Sequence, residues 1–283
     1  MHKKRPALFV IIKGIIFILI PGFLFLYTDS LSANNNYPLG SRAAAMGNAA
    51  VAISDLWAVH HNQAGLAALS SFQAGFHHEN KFMVPEFGLQ ALALALPVKP
   101  GTIALSYTYF GFSKYNESKL GLAFGRRFGE SFSAGIQVNY LHTYIADDFG
   151  DNSSLTVEGG FIAQPVTGLF IAAHIYNPNR TKIQTYYNEP VPTILRFGLA
   201  GLLGDRILAV FEAEMETAQK AVYKAGVEMG VLGSLYLRTG ISSSPVQSSF
   251  GIGYILNRLV ADLAFTNHQI LGFTPHFTIS YIF

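Results

Sequence analysis

The feature that most constrains this chain is a period-two alternation of apolar and polar residues that recurs along most of its length after residue 70. In HFTISYIF, His276 to Phe283, the side chains of Phe277, Ile279, Tyr281 and Phe283 fall on one face, and those of His276, Thr278 and Ser280 on the other. Residues 131–140 likewise set Phe132, Ala134, Ile136, Val138 and Tyr140 against Ser131, Ser133, Gly135, Gln137 and Asn139. Successive strand side chains point to opposite faces, so these segments read as strands with one apolar face. Composition says what that face meets. The 283 residues are 50% hydrophobic and 13% charged, with 23 Phe, 14 Tyr and 27 Gly, whereas a soluble domain carries about 25% charged residues. Yet no apolar run beyond residue 35 is long enough for a spanning helix. An all-β fold, an antiparallel transmembrane β-barrel, satisfies both facts. Closure pairs every backbone polar group inside the protein, while lipid-facing and lumen-facing side chains alternate. A soluble sandwich or lipocalin-like barrel shares the period but keeps polar groups outside, where this chain has Leu, Phe, Ile, Val and Tyr.

About fourteen segments have the length of a tilted spanning strand: 71–81, 87–97, 101–112, 116–128, 131–145, 153–164, 168–176, 192–201, 205–216, 220–230, 233–241, 247–256, 258–267 and 273–283. The second, FGLQALALALP, is apolar on both faces. The tenth sets Ala221, Tyr223, Ala225, Val227 and Met229 against Lys224, Gly226, Glu228 and Gly230. The thirteenth sets Leu259, Ala261, Leu263 and Phe265 against Asp262 and Thr266. Every second connection is tight: Val98–Pro100, Gly129–Glu130, Pro165–Thr167, Leu202–Gly204, Val231–Leu232 and Asn257. Those between, such as Ala146–Asn152, Asn177–Val191 and His268–Gly272, are generally longer and more polar. Short turns at one end are expected on the periplasmic side. With an even strand count, both barrel termini then lie in the periplasm.

Lys3, Lys4 and Arg5 precede an apolar stretch from Ala7 to Tyr27, interrupted by Lys13 and Pro21, and Ser30 and Ser32 place small residues before Ala33. Residues 1–32 are therefore expected to be a signal peptide; a retained inner-membrane anchor is the competing reading. The net charge of +2 points to no polyanionic partner, and the absence of Cys excludes thiolate chemistry and lipid attachment through an N-terminal Cys.

Residues 33–70 form an Ala/Gly-rich segment ahead of the barrel at 71–283. From Pro38 to Leu69 it reads PLGSRAAAMGNAAVAISDLWAVHHNQAGLAAL and lacks strand alternation. Gly40, Arg42, Ala43, Met46, Gly47, Asp55, Trp57, Asn62, Ala64, Gly65 and Leu66 strongly resemble the N-terminal region of the PorV/PorQ family, within the FadL-type barrel superfamily. Its pattern is Gly-x-Arg-Ala-x-x-Met-Gly, an apolar run, an Asp, an aromatic, then Asn-Pro-Ala-Gly-Leu. Gln63 stands where Pro is usual, and the single acidic Asp55 where many members have two. Tyr281 and Phe283 close a strand that resembles the C-terminal insertion signal of bacterial outer-membrane barrels. The resemblance implies a fourteen-stranded barrel whose N-terminal segment tucks into the lumen as a plug. It also implies two kinds of function: import of hydrophobic small molecules or, in the Bacteroidota, service to the type IX secretion system.

Physically, Arg42 and Asp55 suit charge-assisted bonds between plug and wall, and Gly40, Gly47 and Gly65 allow turns or close backbone approach. Arg196, Glu212, Glu214, Lys224, Glu228, Arg238 and Asp262 fall on inward positions, a set of mixed sign suited to bracing the wall. No continuous apolar groove through the plug is evident from sequence. Neither His142 with Asp147 or Asp148, nor the pairs His60/His61 and His77/His78, places a nucleophile beside a base. Asp147, Asp148, Asp151 and Asn152 lack the Gly and Glu spacing of a calcium loop and read as a solvated acidic loop. The expectation is a non-enzymatic outer-membrane barrel, a component or accessory of a protein export (type IX secretion-like) or outer-membrane assembly machine. The alternatives are a FadL-like passive transporter of hydrophobic small molecules and a structural subunit of the barrel-insertion complex. Expected partners are a larger outer-membrane protein complex, outer-membrane lipids and, in the transport reading, a hydrophobic ligand. No cofactor, metal or nucleic acid is expected.

Overall fold

In the computed structural model, which describes residue 36 and residues 39–146, 150–182, 191–217 and 219–283, fourteen strands close into a barrel. They are β1 (Gln73–Asn80), β2 (Gly88–Val98), β3 (Gly101–Phe112), β4 (Tyr115–Phe128), β5 (Phe132–Ile145), β6 (Gly150–Val166), β7 (Leu169–Tyr176), β8 (Ile194–Leu203), β9 (Ile207–Glu216), β10 (Val222–Leu232), β11 (Leu235–Ser243), β12 (Val246–Leu256), β13 (Leu259–His268) and β14 (Gly272–Ile282). Each strand pairs antiparallel with its sequence neighbours, and β1 closes on β14 with Gln73 opposite Ile282 and Glu79 opposite His276. The strands match the alternating segments. The largest shift is in β6, which starts at Gly150 instead of 153 because Asp151 and Asn152 continue the ladder opposite Tyr144 and Thr143. The expected signal peptide, residues 1–32, lies outside the described residues.

The alternation resolves into two faces. Leu92, Leu94, Leu96, Leu122, Ile136, Val138, Leu155 and Ile252 point out and are exposed, while Gln137, Asn139, Glu158, Glu212, Lys224 and Asp262 are buried on the inside. An outer surface of Leu, Ile, Val and Phe matches hydrocarbon, not water. Among the described residues no helix is long and apolar enough to cross a membrane. At the short-turn end the chain reverses through left-handed residues, Gly129 (φ 66), Gly204 (φ 67) and Asn257 (φ 54), a conformation that Gly and Asn adopt most readily.

Residues 39–69 lie inside this wall. They form two short helices, Ser41–Ala45 and Ala58–His61, and a 3-10 turn, Gln63–Ala68. Leu39, Met46, Val51, Leu56 and Trp57 are buried, as their apolar character requires. The wall is cut to admit them. A Cβ on Gly240 would lie 2.2 Å from Gly47 N, and one on Gly125 or Gly135 would lie 2.4 Å from the Gln63 backbone, so these inward positions exclude any side chain. The two-faced apolarity of β2 has the same cause. Leu92, Leu94 and Leu96 face out, whereas Ala91, Ala93 and Ala95 face in and pack with Leu39, Leu56 and Trp57.

Candidate functional site in the barrel lumen

The inner segment is tied to the wall at points spread around the barrel. The Ser41 backbone N–H donates to Thr278 Oγ1 on β14 at 2.8 Å. Arg42 Nε donates to Glu228 Oε2 on β10 at 2.8 Å, and Arg42 Nη1 to Asp55 Oδ2 within the segment at 3.2 Å. Ser249 on β12 accepts from Gly47 N–H and donates to the Ala45 carbonyl, each at 2.9 Å. One carboxylate oxygen of Glu212 on β9 accepts the N–H groups of both Ala50 and Val51 at 2.9 Å. Asn62 Nδ2 donates to the carbonyls of Val51 at 2.9 Å and of Phe161, on β6, at 3.1 Å. Buried polar groups cost little when paired in this way and much when left unpaired.

The residues singled out from sequence take defined places. Gly40 (φ 94) lies against the Trp57 ring, and Gly65 against the Ile53 carbonyl and Ala58. Met46 fills the gap over Gly226 and Gly240, and Gly47 (φ 68) meets the Ile241 backbone. The inward charges sort into two groups. Arg196 pairs with Glu214 at 2.6 Å, and Lys224 bridges Glu214 and Glu212 at 2.8 and 3.1 Å. Arg238 joins Glu228 at 2.6 Å and also pairs with Asp262, and Arg42 extends this second group. Phe283 donates its N–H to the Phe72 carbonyl at 2.9 Å, and its ring packs on Phe72 and Tyr281.

Sequence reasoning missed a third buried group. Glu158 on β6 accepts from Lys119 at 2.9 Å, from Gln137 at 2.9 Å and from Asn139 at 2.8 Å, and His174 Nε2 lies 3.1 Å from its other oxygen. The parity of Lys119, Glu158 and His174 within their strands was the available signal. His142 bonds Ser153 at 3.1 Å, while Asp147 and Asp148 lie outside the described residues. Asp151 is exposed on β6. His77 faces inward and His78 the opposite way, so they make no pair. His60 stacks on Trp57, and His61 Nε2 meets the Leu39 carbonyl at 2.6 Å. Burial holds the His61 imidazole down at about 4.

Two cavities open beside the segment toward the short-turn end. One, of about 330 Å³, is walled by Ala52, Ile53, Ile162, Phe170, Ala200, Leu202 and Leu208, with Arg127 and Glu130 at its polar edge. The other, of about 360 Å³, is walled by Leu56, Trp57, Leu69, Ile255, Val260 and Ile282 and also by Gln73, Tyr236, Ser280 and the charged Asp55, Glu228, Arg238 and Asp262. Arg42 and Ser54 line both, so the segment's own ion pair partitions the space. Volumes in this range, with apolar walls and placed polar groups, suit small-molecule ligands.

No protein-family model and no curated protein matches the sequence. Solved structures do match. A CymD monoaromatic hydrocarbon channel aligns with TM-score 0.68 at 12% identity, over 89% of this chain and 99% of that chain. The Ralstonia pickettii toluene transporter TbuX aligns with TM-score 0.67 at 11% identity, over 88% and 99%. A Pseudomonas aeruginosa FadL homologue gives 0.66 at 11%, over 87% and 99%. At such identities the likeness is one of fold, and the finer PorV/PorQ resemblance rests on residues of the inner segment alone. The fold is that of the FadL-type outer-membrane barrels.

Proposed function

We propose that this chain is a passive outer-membrane channel for small hydrophobic molecules, with residues 39–69 as its plug and the short-turn end toward the periplasm. The observation that carries this reading is the pair of apolar-lined cavities flanking Arg42, set within a fold shared with proteins described as hydrocarbon and toluene channels. A solute that partitions from water into such a cavity gains about 25 cal/mol per Å² of apolar surface buried, and the charged groups that line the second cavity are already paired with one another. No chemistry is required of the protein. The export-component reading rests on the motif of the inner segment and on the self-neutralising charges of the lumen.

Cells producing the protein should take up labelled toluene faster than control cells, and Ala200→Phe, which fills the first cavity, should slow that uptake while the barrel still shows heat-modifiable gel migration. Uptake equal to controls from a folded barrel, together with its recovery in a detergent-stable complex with another large outer-membrane protein, would overturn the channel reading in favour of export.

A further inference from the structure

The geometry points to a transition-metal site, of the class that binds zinc(II), at the seam where β1 meets β14, with His77, Glu79 and His276 as its ligands. His77 and Glu79 are two apart on β1 and share its inward face, and His276 stands directly opposite Glu79 in the ladder. Glu79 Oε2 lies 3.1 Å from His276 Nδ1 and 3.6 Å from His77 Nε2. All three potential ligand atoms fall within 4.8 Å of one another, and all three residues are buried. Zinc–ligand bonds of about 2.0–2.1 Å in tetrahedral array set donor atoms about 3.3 Å apart. The cluster is thus near the spacing a bound ion would impose, and small side-chain rotations complete it.

The outer contacts of the imidazoles match as well. His77 Nδ1 meets Thr278 Oγ1 at 2.8 Å, and His276 Nε2 meets Thr266 Oγ1 at 3.1 Å. Thr278 Oγ1 also takes the Ser41 N–H and pairs with Ser41 Oγ at 2.8 Å. If its own hydrogen goes to Ser41 Oγ, it is left as an acceptor for the His77 N–H. Each ring is thereby oriented through one nitrogen, while the other, His77 Nε2 or His276 Nδ1, is buried and faces Glu79 Oε2 without well-formed hydrogen-bond geometry. Metal-binding histidines are held in this manner by polar partners on the far nitrogen. Two imidazoles and one carboxylate suit zinc and leave a position open, whereas calcium and magnesium prefer all-oxygen sets. Lys81 Nζ lies 3.9 Å from the other carboxylate oxygen, Glu79 Oε1, and leaves Oε2 to the imidazoles. An ion here would clasp the first strand to the last, and through Thr278 its outer shell reaches the helix that begins at Ser41.

The test is a titration of the folded full-length barrel, purified in detergent without a polyhistidine tag, with cobalt(II) followed by visible absorption, and then displacement by zinc(II). One cobalt per barrel, with ligand-field bands that zinc abolishes, is expected. Glu79→Gln and His276→Ala should remove those bands, and Thr266→Val should weaken affinity by ~10- to 100-fold, as loss of an outer-shell partner does. Heat-modifiable migration certifies that each variant is folded; if Glu79→Gln fails that check, His276→Ala and Thr266→Val carry the comparison. Absence of saturable binding by the folded natural protein would overturn the assignment. So would binding that is unchanged in the folded variants, since the ion would then sit elsewhere.

Discussion

Arg42 and Glu228 meet in a two-pronged pair: Nε donates to Oε2 at 2.8 Å and Nη2 to Oε1 at 2.6 Å. Glu228 Oε2 also accepts from Arg238, and Arg42 reaches on to Asp55. One planar guanidinium therefore joins the start of the inner segment, its middle and the barrel wall, a task suited to the forked donors of Arg.

Replacing Arg42 with Ala should destabilise the seated segment by up to ~3 kcal/mol, where the range for breaking a fully buried ion pair begins, because Arg42 is half-buried and Glu228 keeps Arg238 as a cationic partner. Arg42→Lys keeps the charge but not the fork and should fall between. The urea midpoint of heat-modifiable migration and single-channel current measure the effect. A midpoint unchanged in Arg42→Ala would mean that the remaining backbone contacts hold the segment unaided.

Gly240→Leu should unseat the segment while leaving the barrel closed. A Cβ at this position meets Gly47 N and Met46 C at 2.2 Å, and main-chain atoms cannot swing aside as a flexible side chain can. Planar bilayers should record a larger conductance than for the natural protein, approaching that of a deletion of residues 40–66. Equal, closed currents in all three would show that wall side chains fill the lumen.

Strand positions were legible because lipid on one side and packed side chains on the other impose period two on each strand, and parity placed the inward charges of the late strands, from Arg196 to Asp262. What parity could not supply was depth around the barrel. Glu158 gathers Lys119 and His174 from β4 and β7, and Glu79 gathers His276 across the closing seam. Neither cluster is local in sequence. The cavities were hidden for a related reason: they are gaps between the inner segment and small wall residues such as Ala200, and their size depends on how the segment folds.

Seating of the segment should weaken as pH falls from about 6.5 toward 4. Burial holds His61 at about 4 when folded, against ~6.5 when exposed, so in that window the exposed state binds more protons and acid favours it. Stability from this group is full above the exposed value and is lost as pH drops through the window. Conductance should rise on acidification from pH 7 to 4.5, and His61→Gln should reduce the response, with neighbouring His60, whose imidazole is also held down by burial, carrying part of the rest. A response unchanged in His61→Gln would assign the acid sensitivity to other groups.

The connection between β7 and β8 tests the orientation. Its base is pinned: Asn177 Nδ2 donates to the Val191 carbonyl at 2.7 Å, Thr181 N–H donates to Asn177 Oδ1 at 3.0 Å, and Val191 N–H donates to the Thr181 carbonyl at 2.9 Å. Lys182 lies just beyond these bonds and is exposed. An epitope inserted after Lys182 therefore extends the loop without breaking its anchor, and long surface loops accept such additions at small entropic cost. This loop lies at the opposite end from the short turns, so the proposed orientation places the epitope outside the cell. Antibody should label it on intact cells producing the variant, to the same level as after permeabilisation. Labelling confined to permeabilised cells, from a barrel that still migrates as folded, would turn the molecule over and set its two cavities facing the exterior.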